Sequence, residues 1–143
     1  MTHQEPGRLE VLLTLLAGRL AGNVYRQYVD RLELRGNERV LDFGSGAGNP
    51  ARYLAGRLKA GGRLTCVDIS TVWQQVIRRR LGKYSNVEFR LGDIRTLDIP
   101  DGSQDVIFIH FVLHDIPAGE RPSTVQALVR TLAPGGKVYV REP

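Results

Sequence analysis

Apolar residues recur at Leu9, Leu12, Leu13, Leu16, Leu20, Val24 and Val29. This helical spacing predicts helix from Arg8 to Leu34, in one piece or in two broken around Gly22-Asn23. The pattern then changes. Arg39-Val40-Leu41-Asp42-Phe43 is a short apolar run that enters Gly44-Ser45-Gly46-Ala47-Gly48, as a strand entering a glycine loop would. Asn49 is placed to cap the following helix, Pro50 suits its first turn, and Gly61-Gly62 supplies its stop.

The unit then repeats. Arg63 to Asp68 predicts a strand, Thr71 to Leu81 a helix capped by Ser70, and Asn86 to Leu91 a strand with Val87, Phe89 and Leu91 facing inward. Asp105 to Leu113 is almost continuously apolar, as a central parallel strand covered on both faces would be. A helix is expected from about Ala118 to Leu132, and Pro134-Gly135-Gly136 then turns the chain into a fifth strand, Lys137 to Val140. Strands alternating with helices predict an α/β fold, a doubly wound and mostly parallel sheet with right-handed crossovers. Ligands are expected at the carboxyl ends of its strands, near the topological switch point. Residues 1–36 are the N-terminal helical segment and 37–143 the α/β core of a single domain.

Composition narrows the class. A chain of 143 residues has the length of one domain, and its 42% hydrophobic and 24% charged residues set it apart from disordered sequences. Cys66 is the only cysteine, which excludes an internal disulfide and a cysteine-rich metal site. With no signal peptide visible, a reducing cytoplasm is expected. Leu9 to Leu20 is interrupted by Glu10, Thr14 and Arg19 and is too short for a membrane span. Formal net charge is +5, but the one dense basic run, Arg78-Arg79-Arg80, has no interleaved aromatics and is expected to be a solvated helix face.

Glycines between a strand and a helix let a ligand approach the backbone beside a helix N-terminus. A dinucleotide fingerprint wants glycine or alanine three residues after its second glycine, where this chain has Asn49. Asp42, two residues before the first glycine, is badly placed beside a pyrophosphate and well suited to an ammonium group. Asp68, about 20 residues past the loop, can accept hydrogen bonds from both hydroxyls of a ribose. Ile69 can pack on an adenine face, and Asp93 of Gly92-Asp93-Ile94 can accept from an exocyclic amine. Trp73 is expected to anchor its helix on the sheet.

Together, the Val40 to Gly48 loop, the acid of Val67-Asp68-Ile69-Ser70, the Gly92-Asp93-Ile94 step, the strand Asp105 to Pro117 and the segment Leu128 to Val140 resemble the core of the class I S-adenosylmethionine-dependent methyltransferases. The resemblance covers about Glu38 to Val140. It implies that Asp42 and the backbone of Gly44, Ser45, Gly46 and Gly48 hold the methionyl end. It places Asp68 on the ribose, Ile69, Asp93 and Ile94 around the adenine, and the main chain of Ile109 and His110 near the methionyl amine. S-adenosylhomocysteine would be the product. His114, followed by Asp115, is the candidate general base or pocket residue, and Tyr25, Arg26 and Tyr28 a candidate substrate lid.

The family continues past the fifth strand with a helix and two further strands, whereas this chain stops at Pro143. The expected sheet therefore lacks the last two strands, and its open fifth-strand edge invites a second copy. A small-molecule acceptor is favoured. A cofactor-binding fragment or subunit, and a nucleic-acid methyltransferase, are the alternatives. The second is disfavoured because His110-Phe111-Val112-Leu113-His114 stands where amino-group methylases of nucleic acids carry Asn/Asp-Pro-Pro-aromatic.

Overall fold

Alternation along the strands sorts the core into two layers. On β1 (Arg39–Phe43), Val40 faces one layer while Leu41 and Phe43 face the other. On β4 (Gln104–His110), Val106 and Phe108 share Val40's side, and Ile107 and Ile109 share Leu41's. Both strands are thus apolar on two faces, as sheet centres must be. The computed structural model describes residues 3–59 and 61–143. With β2 (Arg63–Asp68), β3 (Val87–Leu91) and β5 (Leu132–Arg141), it forms a five-stranded, all-parallel sheet of order β3-β2-β1-β4-β5. The order reverses between β1 and β4, which makes the carboxyl ends of these strands the switch point.

Helices α1 (Arg8–Leu20), α2 (Gly22–Asp30), α3 (Ala51–Arg57), α4 (Thr71–Leu81) and α5 (Arg121–Arg130) complete the fold. Val29 of α2, Leu54 of α3 and Ile77 of α4 fill one layer, and Leu128 of α5 the other. Ser70 caps α4 as expected, its hydroxyl accepting from the Trp73 N–H at 3.1 Å.

Five local expectations change. Asn49 does not cap α3: its amide donates to the Thr14 carbonyl at 3.2 Å and accepts from Arg80 at 2.9 Å. Helix α3 ends at Arg57, before Gly61-Gly62. Strand β4 stops at His110 because Phe111 turns the chain out of the sheet with φ 55°, and Leu113–Asp115 form a 3-10 turn. Ala118–Glu120 is a second 3-10 turn that precedes the shorter α5. Pro134-Gly135-Gly136 is not a turn before β5 but an irregularity inside it, where pairing jumps from Gln104↔Leu132 to Val106↔Lys137. Pro134 has no N–H for the ladder, so the strand bulges there.

The leucine stripe of α1 also behaves differently. Leu9 and Leu20 are 67% and 81% exposed, and Leu12, Leu13 and Leu16 are exposed as well. The helix is fastened through its other side, where Gly18 is buried against Asn49 and its carbonyl accepts from Arg52 at 3.0 Å. Leu91 is likewise exposed at the end of β3, while Val87 and Phe89 pack inward. The basic run is only partly a solvated face: Arg78 lies over the Phe89 ring, and Arg80 reaches the Ala47 carbonyl. Among the described residues, no helix is long and apolar enough to cross a membrane.

Candidate functional site

A cavity of about 740 Å³ opens at the carboxyl ends of β1, β2 and β3, within the size range of small-molecule and cofactor sites. Phe43, Gly44, Gly46 and Ala47 form one wall, Asp68 and Ile69 the next, and Gly92, Asp93 and Ile94 a third. These are strand ends brought together by parallel pairing, so residues 50 positions apart meet without any local sequence signal.

Asp68 anchors the arrangement. One carboxylate oxygen accepts from the Gly46 N–H at 2.8 Å and the other from the Ser70 N–H at 2.9 Å, which ties the glycine loop to the start of α4. Burial nonetheless raises its pKa above the ordinary carboxylate range, against those two bonds. Asp93 differs: Arg95 grips both its oxygens, at 3.0 and 2.6 Å, and holds its carboxyl below the usual range. The adenine contact expected of Asp93 from the sequence would have to share the carboxylate with that guanidinium.

Asp42 stands behind the loop. It is 2% exposed, does not line the cavity, and faces the layer opposite to its neighbour Phe43. Among the described residues its Oδ2 has no hydrogen-bond partner. Burial pushes its pKa up to about 7, and the charge of Asp68 adds to the shift. The same burial, with the Asp42 charge added, pushes the Cys66 thiol up, so that thiol is inert.

The three loop glycines serve different ends. A Cβ at Gly48 would lie 2.8 Å from Ile77 Cγ1, and one at Gly44 2.6 Å from Val112 Cγ1, so both are fixed by packing. A Cβ at Gly46 would meet nothing within 4 Å, on a backbone with φ 53° and beside the cavity. Gly46 is therefore the point where a ligand can approach the main chain.

Ser45, Gly48, Ile109, His110 and His114 do not line the cavity. The wall beyond β4 begins one residue later than expected, at Phe111 and Val112, because the chain leaves the sheet there. His110 sits among Tyr25, Tyr28, Phe108 and Phe111, with ring centroids 4.3 to 5.9 Å away, and burial lowers its pKa to about 4. The structure thus brings Tyr25 and Tyr28 together around His110, while Arg26 bonds Asn23 outside that cluster.

Trp73, expected to anchor α4 on the sheet, lines the cavity instead, and several other wall residues were not singled out from sequence. His3, Gln4, Glu10 and Thr14 bring the N-terminal segment over it. Glu5 fastens that segment: its carboxylate accepts from the Thr71 N–H at 2.8 Å and from the Ser70 hydroxyl, and the Ser70 bond leads in holding its pKa low. At the other end of the chain Glu142 accepts from the Val112 and Leu113 N–H groups, both at 2.9 Å, and from His114 Nδ1 at 2.8 Å. Burial opposes its ionisation, but the bonds from His114, Val112 and Leu113 prevail and keep its carboxyl below the usual range.

Comparison with known proteins agrees with this geometry. Residues 40–136 match the family model described as "Methyltransferase domain". The chain is 36% identical over 118 residues to an uncharacterised 37.1 kDa protein in transposon TN4556 of Streptomyces fradiae, covering 80% of this chain and 33% of that protein. It is 29% identical over 143 residues to the ubiquinone/menaquinone biosynthesis C-methyltransferase UbiE of Ectopseudomonas mendocina, covering 98% of this chain and 55% of the relative. The chain thus spans about half the length, or less, of these relatives. A SAM-dependent methyltransferase from Aquifex aeolicus has the same fold, with TM-score 0.69 and 24% identity over 77% of this chain and 58% of that one. With its doubly wound sheet and its cavity at the switch point, the chain belongs to the methyltransferase-domain family, whose cofactor is S-adenosylmethionine.

Proposed function

We propose that the chain binds S-adenosylmethionine in this cavity and carries its methyl group to a small-molecule acceptor. One observation supports this above others: carboxylates stand at the carboxyl ends of three adjacent strands, Asp42 one residue before the end of β1, Asp68 ending β2 and Asp93 just past β3, around a loop that leaves Gly46 open to a ligand. The residues fit the cofactor's charges. An unpartnered buried carboxylate and a second, desolvated one favour a ligand bearing an ammonium and a sulfonium. Asp68 would take the ribose hydroxyls with its remaining lone pairs, Ile69 and Ile94 the adenine faces, and the main chain at Gly44 and Gly46 the methionyl end.

The cofactor supplies an electrophilic methyl group, and the protein's contribution is alignment and exclusion of water. Phe111, Val112 and Asp115 wall the cavity on the side of β4, where the acceptor would enter beside His114. A small acceptor is supported by relatives named as a ubiquinone/menaquinone biosynthesis C-methyltransferase and a phosphoethanolamine N-methyltransferase. A chain that binds the cofactor but acts only with further sequence is the second reading, favoured by coverage of 33 to 55% of those first relatives.

Calorimetric titration with S-adenosylhomocysteine and with NADH tests the cofactor assignment. Saturable binding of the first alone is expected; binding of NADH alone would overturn it. Asp68→Ala should weaken S-adenosylhomocysteine by about 1–3 kcal/mol, since the ribose loses a carboxyl acceptor and two main-chain N–H groups lose theirs. An unchanged Kd would remove Asp68 from the ligand. Methyl transfer to a panel of small phenols, amines and thiols, with Asp68→Ala as control, tests the acceptor class.

A further inference from the structure

We infer that Glu142 is a positioning residue: it holds the His114 imidazole with its proton on Nδ1, so that Nε2 takes the proton of the methyl acceptor. This rests on the proposed methyl transfer. Glu142 follows β5, 28 residues from His114, and its carboxylate faces four donors. Three are consecutive main-chain N–H groups, of Val112, Leu113 and His114, at 2.9, 2.9 and 3.3 Å. The fourth is His114 Nδ1 at 2.8 Å. An ionised carboxylate has no proton to give, so the shared proton belongs to the ring.

The other ring nitrogen, Nε2, stands 3.3 Å from Asp115 Oδ1, and Asp115 itself lines the cavity. A proton gained at Nε2 would therefore produce an imidazolium between two carboxylates. This is the arrangement a base needs at the moment it becomes a cation. In the step, the acceptor's X–H proton passes to Nε2 while its electron pair forms the bond to the methyl carbon. The pair of the broken carbon–sulfur bond stays on sulfur as a neutral thioether. The sulfonium's positive charge thus ends on the imidazolium.

Glu142 also fixes where that base stands. By gathering the N–H groups of the 3-10 turn it pins Val112 against Gly44 and fixes the turn that brings Val112 and Asp115 to the cavity wall. Main-chain carboxylate capping and histidine orientation come from one side chain, so its loss should alter both.

Long-range proton–nitrogen NMR of the uniformly 15N-labelled chain shows directly which ring nitrogen carries the proton, with no cofactor or acceptor present. Neutral His114 is expected to be protonated on Nδ1, and in Glu142→Ala on Nε2, the form a free histidine side chain prefers. An Nε2-protonated ring in the unaltered chain would overturn the inference, whatever the variant does. In the methyl-transfer assay Glu142→Gln, which keeps the volume, should lower kcat at least ~10-fold, since a positioned base contributes about 10²–10⁴-fold. The Kd for S-adenosylhomocysteine should stay within about twofold. Loss of affinity with kcat unchanged would make Glu142 structural only. An Nδ1-protonated ring in a chain that transfers no methyl group would instead refute the proposed function and leave the positioning standing.

Discussion

Asp42→Asn is expected to stabilise the ligand-free chain at pH 8 and to weaken its hold on S-adenosylhomocysteine. The cause is a carboxylate buried with one oxygen unpartnered, its pKa moved from 3.8 to about 7. Below pH ~4 the group is protonated in folded and unfolded chains alike and has no pH-dependent effect. Between ~4 and 7 the unfolded chain gives up its proton while the folded chain keeps it, so stability falls as pH rises. Above 7 the whole penalty is present. At about 1.4 kcal/mol per pH unit, it is on the order of 4 kcal/mol.

Asparagine keeps the shape and cannot ionise. Because the amide and the protonated acid leave the same buried position without a partner, the pH-dependent part of the difference isolates the charge. In thermal melts the gap between variant and parent should widen from little at pH ~4.5 to roughly 10 °C at pH 8. Binding should run the other way. Asp42 stands behind the loop and outside the cavity wall, so a ligand ammonium favours its ionised form only through space: parental affinity should rise with pH through about 7 while the variant's stays flat and weaker at pH 8. Equal melting of the two chains at pH 8 would show that Asp42 is solvated or partnered in solution.

The strand ends read clearly in the sequence. Asp42 stood out by its place two residues before the first loop glycine, and Asp68 by its place at the end of β2 about 20 residues past the loop. The sheet was legible because period-2 alternation and continuous apolar runs are properties of single segments. The contacts that finish the site are not. Glu5 lies 66 residues from Thr71 and Glu142 30 from Val112, and nothing local distinguishes either from a solvated glutamate. Trp73 illustrates the same limit: its helix was evident, but which side of the helix meets the cavity depends on how α4 lies across the sheet. The stripe on α1 was recognised as helical, and its period was right, yet the side that packs is the one carrying Thr14 and Gly18. Amphipathic spacing identifies a helix; it does not say which face finds a partner.

Valine at Gly46 and alanine at Gly48 should separate binding from folding within one loop. At Gly46 the backbone has φ 53°, where a side chain costs roughly 1–2 kcal/mol. Nothing lies within 4 Å of a Cβ there, so the valine methyls project beside the cavity and the fold tolerates the strain. Gly46→Val should therefore melt within a few degrees of the parent and show no saturable binding of S-adenosylhomocysteine. Gly48 has φ 80° and its Cβ would stand 2.8 Å from Cγ1 and 3.0 Å from Cδ1 of Ile77, which is 2% exposed and packed in the core. Strain and overpacking there add to about 2–5 kcal/mol, a large share of the roughly 5–15 kcal/mol that holds a domain of this size together. Gly48→Ala should lower the melting temperature by roughly 10 °C and, at a temperature where it remains folded, bind the ligand close to normally. Calorimetry and thermal melts on both variants check the pair. If affinity instead followed stability in both, the loop would be a structural connection from β1 to α3, and the ligand would have to lie elsewhere along the strand ends.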